Sequence, residues 1–194
     1  MFMTKTCVDH WLDSSLKTVD SYRRMIDGIL SQLTDTELNC RPAEGANSVA
    51  IILRHLGGNL RSRWTDFLMS DGEKPDRERE KEFAEWEGSR ESLLEYFDSG
   101  WVKLLSAIEI MRGESQERMI TIRGESHTLA DALLRSITHI SYHVGQMILI
   151  ARVVHQGEWN WLTIAPGRSA EFNSQNWGSS ASRGVFGPQE NRAK

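Results

Sequence analysis

Apolar side chains recur three and four residues apart along four long stretches of this chain, and almost nothing between them alternates with the two-residue period of a strand. The first stretch runs from about Thr6 to Leu33 and includes Leu12, Val19, Ile26 and Ile29 on one face. The second runs from about Ser48 to Met69, with Asn47 or Ser48 as N-cap and Ile52, Leu56 and Leu60 among its apolar residues. The third opens at Ser89, continues through Phe97 and Leu104 to Met111, and is stopped by Gly113. The fourth opens on Thr128 and Asp131 and reaches about His155, with Gly157 read as the residue that closes it. Helices with one apolar face each must bury those faces against one another, so the pattern predicts an all-α fold, a four-helix bundle. One short alternation, ERMITIRGESHTL, predicts a small β-hairpin just before the fourth helix.

The connections differ in character. TDTELNCRPAEGANS is rich in turn formers and joins the first two helices. Residues 71–91 hold nine acids and five bases, with only Phe83 and Trp86 as apolar anchors, which reads as a solvated crossover between the second and third helices. Gly57 and Gly58 lie mid-helix at a propensity cost of about 1 kcal/mol each. Such a cost points to close approach of a neighbouring helix or of a ligand, and spacing does not separate the two. The bundle domain is expected over 1–175, and the polar, Gly/Ser-rich tail 176–194 is expected to be poorly ordered.

Composition excludes several functions. A net charge of −4 without a basic footprint argues against nucleic acid as a partner. No apolar run approaches the roughly 20 residues of a membrane span, and the N-terminus lacks the pattern of a signal peptide, so a cytoplasmic protein is expected. Cys7 and Cys40 are too few and too far apart for a disulfide framework or a zinc ribbon and are read as reduced thiols. Any metal must then rely on imidazole, carboxylate or water.

The stretch SITHISYHVGQ supplies imidazole. His139 and His143 are four residues apart on the fourth helix, so both rings leave one side about 6 Å apart along its axis. His55 lies on the apolar side of the second helix, and convergence of the three rings would make a divalent-metal site, for zinc or nickel first and iron or manganese after them. Three protein ligands leave coordination positions open, the arrangement of a catalytic rather than a structural ion. Gln146 is placed to hydrogen-bond a ligand ring, and Asn59 and Arg63 follow His55 by one and two turns, where they could orient an anionic small-molecule substrate. Ordinary helix–helix hydrogen bonds would equally explain Asn59 and Gln146, and a surface ion pair Arg63. His10 and His127 read as surface residues. The chain has no HExxH, phosphate-binding glycine loop or GxSxG, and no acid adjoins the histidines in sequence, which disfavours a carboxylate-bridged di-iron centre. Three readings remain open: transfer of a metal-bound thiolate, hydrolysis by metal-activated water, or a non-catalytic metal-binding or interaction bundle.

The segments RHLGGN and HISYHVGQM resemble the DinB/YfiT-like superfamily of metal-dependent helical bundle proteins, and SRWTDFLMSDGEKPDRERE, MITIRGESHTL and GEWNWLTIAPGRSAEFN resemble one uncharacterised subgroup of it. The likeness covers nearly all of residues 5–175. It implies a four-helix bundle with a long crossover, and a divalent ion held by His55, His139 and His143. Relatives include S-transferases that use the low-molecular-weight thiols bacillithiol or mycothiol, and a mycothiol-dependent isomerase. Many members are dimers, so a homodimer is expected.

Overall fold

The computed structural model describes residues 7–177. It contains six helices, α1 (Cys7–Leu30), α2 (Asp35–Asn39), α3 (Val49–Trp64), α4 (Arg90–Met111), α5 (Leu129–Val154) and α6 (Ser169–Asn176), with a 3-10 turn at Arg79–Phe83. Strands β1 (Met119–Ile122) and β2 (Glu125–Thr128) pair antiparallel, Ile122 opposite Glu125. The protein is mostly helical, as expected. Residues 178–194, which hold nearly all of the tail expected to be poorly ordered, lie outside the described residues.

The four long helices supply the core. Leu12 and Ile26 of α1, Leu56 and Leu60 of α3, Phe97 and Leu104 of α4, and Leu133 and Ile140 of α5 are all fully buried. Each such side chain contributes on the order of 1.5–3 kcal/mol relative to exposure. The helices start where the sequence places hydroxyl caps: the side chains of Ser48, Ser89 and Thr128 accept from the backbone N–H groups of Ile51, Ser92 and Asp131 at 3.2, 3.3 and 3.0 Å. Each bond satisfies a donor that the first helical turn leaves open.

Several boundaries differ from the expected ones. Asp66 takes φ 46°, so α3 ends at Trp64 and not near Met69. The first connection contains α2, opened by a reciprocal cap between Thr34 and Glu37, and Glu37 also accepts from the backbone N–H of Gln156 at 2.7 Å. That bond ties α2 to the chain leaving α5. His155 is already extended, so α5 closes without a left-handed residue at Gly157.

The largest departure is in the crossover, which is mostly exposed as expected but is anchored at two places by buried or clamping charges. Asp71 accepts from the backbone N–H groups of Arg123 and Gly124, both at 2.8 Å, and so clamps the hairpin turn, where these residues have φ 55° and 76°. Positive φ at both positions is the type I′ geometry that matches strand twist. Further on, the side chains of Arg77 and Glu82 are only 4% and 3% exposed, because they pair with each other at 2.8 and 2.7 Å. Charges leave water when they are paired and hydrogen-bonded, and composition alone does not reveal the pairing.

The two mid-helix glycines have separate explanations. A Cβ on Gly57 would lie 2.9 Å from Cα of Phe97, and one on Gly100 would strike the backbone of Gly57, so this pair lets α3 and α4 touch backbone to backbone. A Cβ on Gly58 would lie 2.7 Å from the carboxyl carbon of Glu82. One glycine admits a helix and the next admits the crossover's carboxylate. On the other side of α3, Nε1 of Trp64 donates to Oγ of Ser136 at 3.1 Å, while His55 meets His139, so α3 and α5 run antiparallel.

Candidate metal centre

His55 projects from the middle of α3, and His139 and His143 project from successive turns of α5. Their Nε2 atoms converge: His139 lies 3.3 Å from His55 and 3.0 Å from His143, and one ligand atom from each of the three falls within 4.8 Å of the others. For metal–nitrogen bonds near 2.0–2.1 Å, adjacent ligand atoms stand about 2.8–3.4 Å apart, the edge of an octahedron or tetrahedron. The separations of His139 from its two neighbours fall in that interval. His55 and His143 are buried and His139 is half-buried.

The outer ring nitrogens fix the tautomers. Nδ1 of His55 donates to Oε2 of Glu82 at 2.9 Å, because a carboxylate only accepts. Nδ1 of His143 meets Oε1 of Gln146 at 2.8 Å, and the Gln146 amide nitrogen donates to the Tyr142 hydroxyl at 2.9 Å, leaving its oxygen for the ring. Both rings, when neutral, therefore direct lone pairs from Nε2 at His139. A single nitrogen of His139 can donate one proton, so only one of the two contacts can be a hydrogen bond. The other sets lone pair against lone pair at about 3 Å, which a cation among the three nitrogens would relieve.

Electrostatics favour neutral ligands. Burial pushes His139 down to about 3, helped by His143, His55 and the Arg63 and Arg77 guanidinium groups. Burial, then the neighbouring His55, pushes His143 down to about 4. Burial works to raise the Glu82 carboxyl, but hydrogen bonds from His55 and Arg77 outweigh it, and the net direction is down. Phe83 stacks on the His55 ring at 4.7 Å between centroids and closes that side.

Arg63 is buried, and its Nη1 has no hydrogen-bond partner. Burial first, then Arg135, lowers it to about 10, still a cation at neutral pH. The expected surface ion pair is therefore absent among the described residues. Asn59 is half-buried one turn after His55, and no described hydrogen bond joins it to the rings. Gln146 lies against His143. His10 is exposed, and His127 is half-buried rather than a free surface residue. Cys7 and Cys40 are free and exposed. A cavity of about 560 Å³ between α3, the crossover and α4 is lined by Gly58, Arg61, Tyr96 and Glu82 among others, but not by the histidines. Glu82 reaches both, with one face on the cavity and Oε2 on His55.

The sequence pointed to all three histidines and missed Glu82 and Arg77. Glu82 stands 27 residues from His55, at the end of a run, residues 76–82, in which every residue is charged. The available signal was Phe83, an apolar residue next to it in an otherwise polar segment.

With this geometry in hand, comparison with protein families finds one that spans most of the chain: residues 6–168 match a family described as a protein of unknown function, DUF1572. The chain belongs to that family. No curated protein and no solved structure matches it. For this DUF1572 member, the reading of function rests on the three-histidine group, which could hold a metal ion. No described helix is long and apolar enough to cross a membrane.

Proposed function

We propose that this DUF1572 protein is a divalent-metal-dependent enzyme whose open three-histidine site takes a low-molecular-weight thiol as thiolate and delivers its sulfur to an electrophilic small molecule. The observation that carries the reading is the set of three Nε2 atoms whose partner nitrogens on His55 and His143 are tied off by Glu82 and Gln146, leaving at least one lone pair with no protein donor. Three ligands leave room for a fourth, and a bound divalent ion would supply the acidity that deprotonates a coordinated thiol at neutral pH. Zinc or nickel suits imidazole donors, with iron or manganese next. In the transfer, the thiol proton goes to solvent, a carbon–sulfur bond forms, and the leaving group departs with its electron pair. The resemblance to DinB/YfiT-like bundle proteins supports this by analogy of fold, which does not fix chemistry.

His55 and Glu82 set the site from one side, and His139, His143 and Gln146 from the other, so α3 and α5 together position it. The exposed α5 residues Leu134, Tyr142, Leu149 and Val153 would suit burial in the expected homodimer.

The test is the metal content of tag-free protein beside a variant with alanine at positions 55, 139 and 143, followed by thiol conjugation to monobromobimane with the metal-loaded proteins. One divalent ion per wild-type chain, none in the variant, and conjugation only by the wild type are expected. Equal metal content in both would overturn the reading. Ester hydrolysis without thiol, lost in the variant, would replace it with the water-activating alternative.

A further inference from the structure

A cationic cluster adjoins the histidines without acids to match it. Arg63 leaves α3 two turns after His55, and its side chain runs along Gly72 of the crossover, where a Cβ would lie 3.0 Å from its Cδ and 3.5 Å from its Nε. The Trp64–Ser136 hydrogen bond fixes the register of this end of α3 against α5, one turn before His139. Arg135 of α5 is the largest charged influence on Arg63, followed by Glu73, Arg77 and Arg123, and Arg63 in turn acts on His139. The acids are already committed. Glu73 accepts from Arg77 at 3.0 and 3.3 Å and from Arg123 at 3.2 Å, and Glu82 is shared between Arg77 and His55. Among the described residues no carboxylate pairs with Arg63 or with the exposed Arg135, and the buried Nη1 of Arg63 has no partner of any kind.

Burying a guanidinium nitrogen unpaired destabilises a fold, and such an atom in a native protein calls for a partner, whether water, an ion or a ligand. An ion at the three histidines would add further positive charge nearby. The neighbourhood thus calls for a ligand with negative charge at two points, one for the metal and one for the arginine. A planar carboxylate matches the guanidinium fork.

We propose that the small molecule bound at the metal centre carries a carboxylate, which Arg63 holds with Arg135 at the rim while the ion takes the reacting atom. This rests on the metal-centre reading above and narrows its substrate class to anionic acids, mercapto acids if the bound atom is sulfur. Arg63 is then a binding residue, and the stability sacrificed by burying it is recovered only in the complex.

The test uses full-length protein loaded with cobalt(II), whose visible bands report ligands entering the metal's coordination sphere. Two probe pairs are titrated: 3-mercaptopropionate against 3-mercapto-1-propanol, and malonate against malonamate. Within each pair the member with the additional carboxylate is expected to bind at least about tenfold more tightly to the wild type, equivalent to about 1.4 kcal/mol. In Arg63→Met the preference should fall below about twofold, while cobalt binding and the affinity for the uncharged thiol persist. Arg63→Lys should restore part of the preference. The melting temperature of ligand-free Arg63→Met should equal or exceed that of the wild type, since a guanidinium with a structural role would lower it when removed. Equal affinities within both pairs, or a preference that survives Arg63→Met, overturn the proposal. If neither thiol alters the cobalt bands but malonate keeps its Arg63-dependent preference, the thiolate reading falls and the carboxylate anchor stands.

Discussion

Glu82→Gln changes one atom of the proposed centre without changing its shape, and the structure dictates the consequence. Glu82 accepts from Nδ1 of His55 at 2.9 Å and from Nε and Nη2 of Arg77 at 2.8 and 2.7 Å. Oε2 takes both the His55 bond and the Nη2 bond, so a glutamine seats its one acceptor oxygen there and turns its amide N–H₂ against Nε of Arg77. His55 keeps an acceptor, but a neutral amide oxygen in place of a charged carboxylate, so its proton is held less firmly on Nδ1. The lone pair that Nε2 directs at the centre is then less basic. Loss of such a supporting partner lowers metal affinity by roughly 10–100-fold, about 1.4–2.7 kcal/mol. Metal that binds only the folded state stabilises it in proportion to the logarithm of its affinity. For a domain of this size each kcal/mol shifts the melting temperature by roughly 2–4 °C, so the zinc-induced rise should shrink by about 3–11 °C. Calorimetry of wild type and variant, each with and without zinc at a free concentration above both dissociation constants, isolates this increment from any change in the metal-free proteins. An undiminished increment in Glu82→Gln would refute the argument that the carboxylate supports His55, and with it the claim that the crossover belongs to the site.

The remaining expectations concern the scaffold. Gly100→Ala should destabilise by about 1–2 kcal/mol in thermal or urea denaturation, since overpacking against the Gly57 backbone exceeds the gain of about 1 kcal/mol in helix propensity. Gly145→Ala meets nothing within 4 Å and should instead stabilise by up to about 1 kcal/mol, and a loss there would count against the packing argument. Ser136→Ala strands the buried Trp64 indole N–H and should cost about 1–3 kcal/mol by urea denaturation. Backbone N–H donors from Thr34 and Gln156 hold Glu37 at about 2 against an ordinary 4.5. A depressed carboxylate stabilises above its unfolded value, and that contribution is lost as pH falls from about 4.5 toward 2. Urea midpoints should therefore drop more steeply over this window in the wild type than in Glu37→Gln, and parallel curves would show that the α2–α5 tie contributes nothing.

The sequence by itself determined the four amphipathic helices, the hydroxyl caps of α3, α4 and α5, the hairpin and the histidine pair on α5, because each is encoded within a few residues by periodicity or by a side chain bonding its own backbone. It also singled out His55, since a histidine on an apolar stripe is visible without knowing what faces it. What only the tertiary structure decided is which charges are buried and with whom. Residues 71–91 look alike by composition, yet Glu82 enters the core to hold His55, Arg77 follows it, and Arg63 is left without an acid. Helical pattern specifies which face a residue shares but not which distant residue meets that face. Pairing energy is decided by that meeting, here made when Gly58 gives up its side chain so that the crossover can lie against α3.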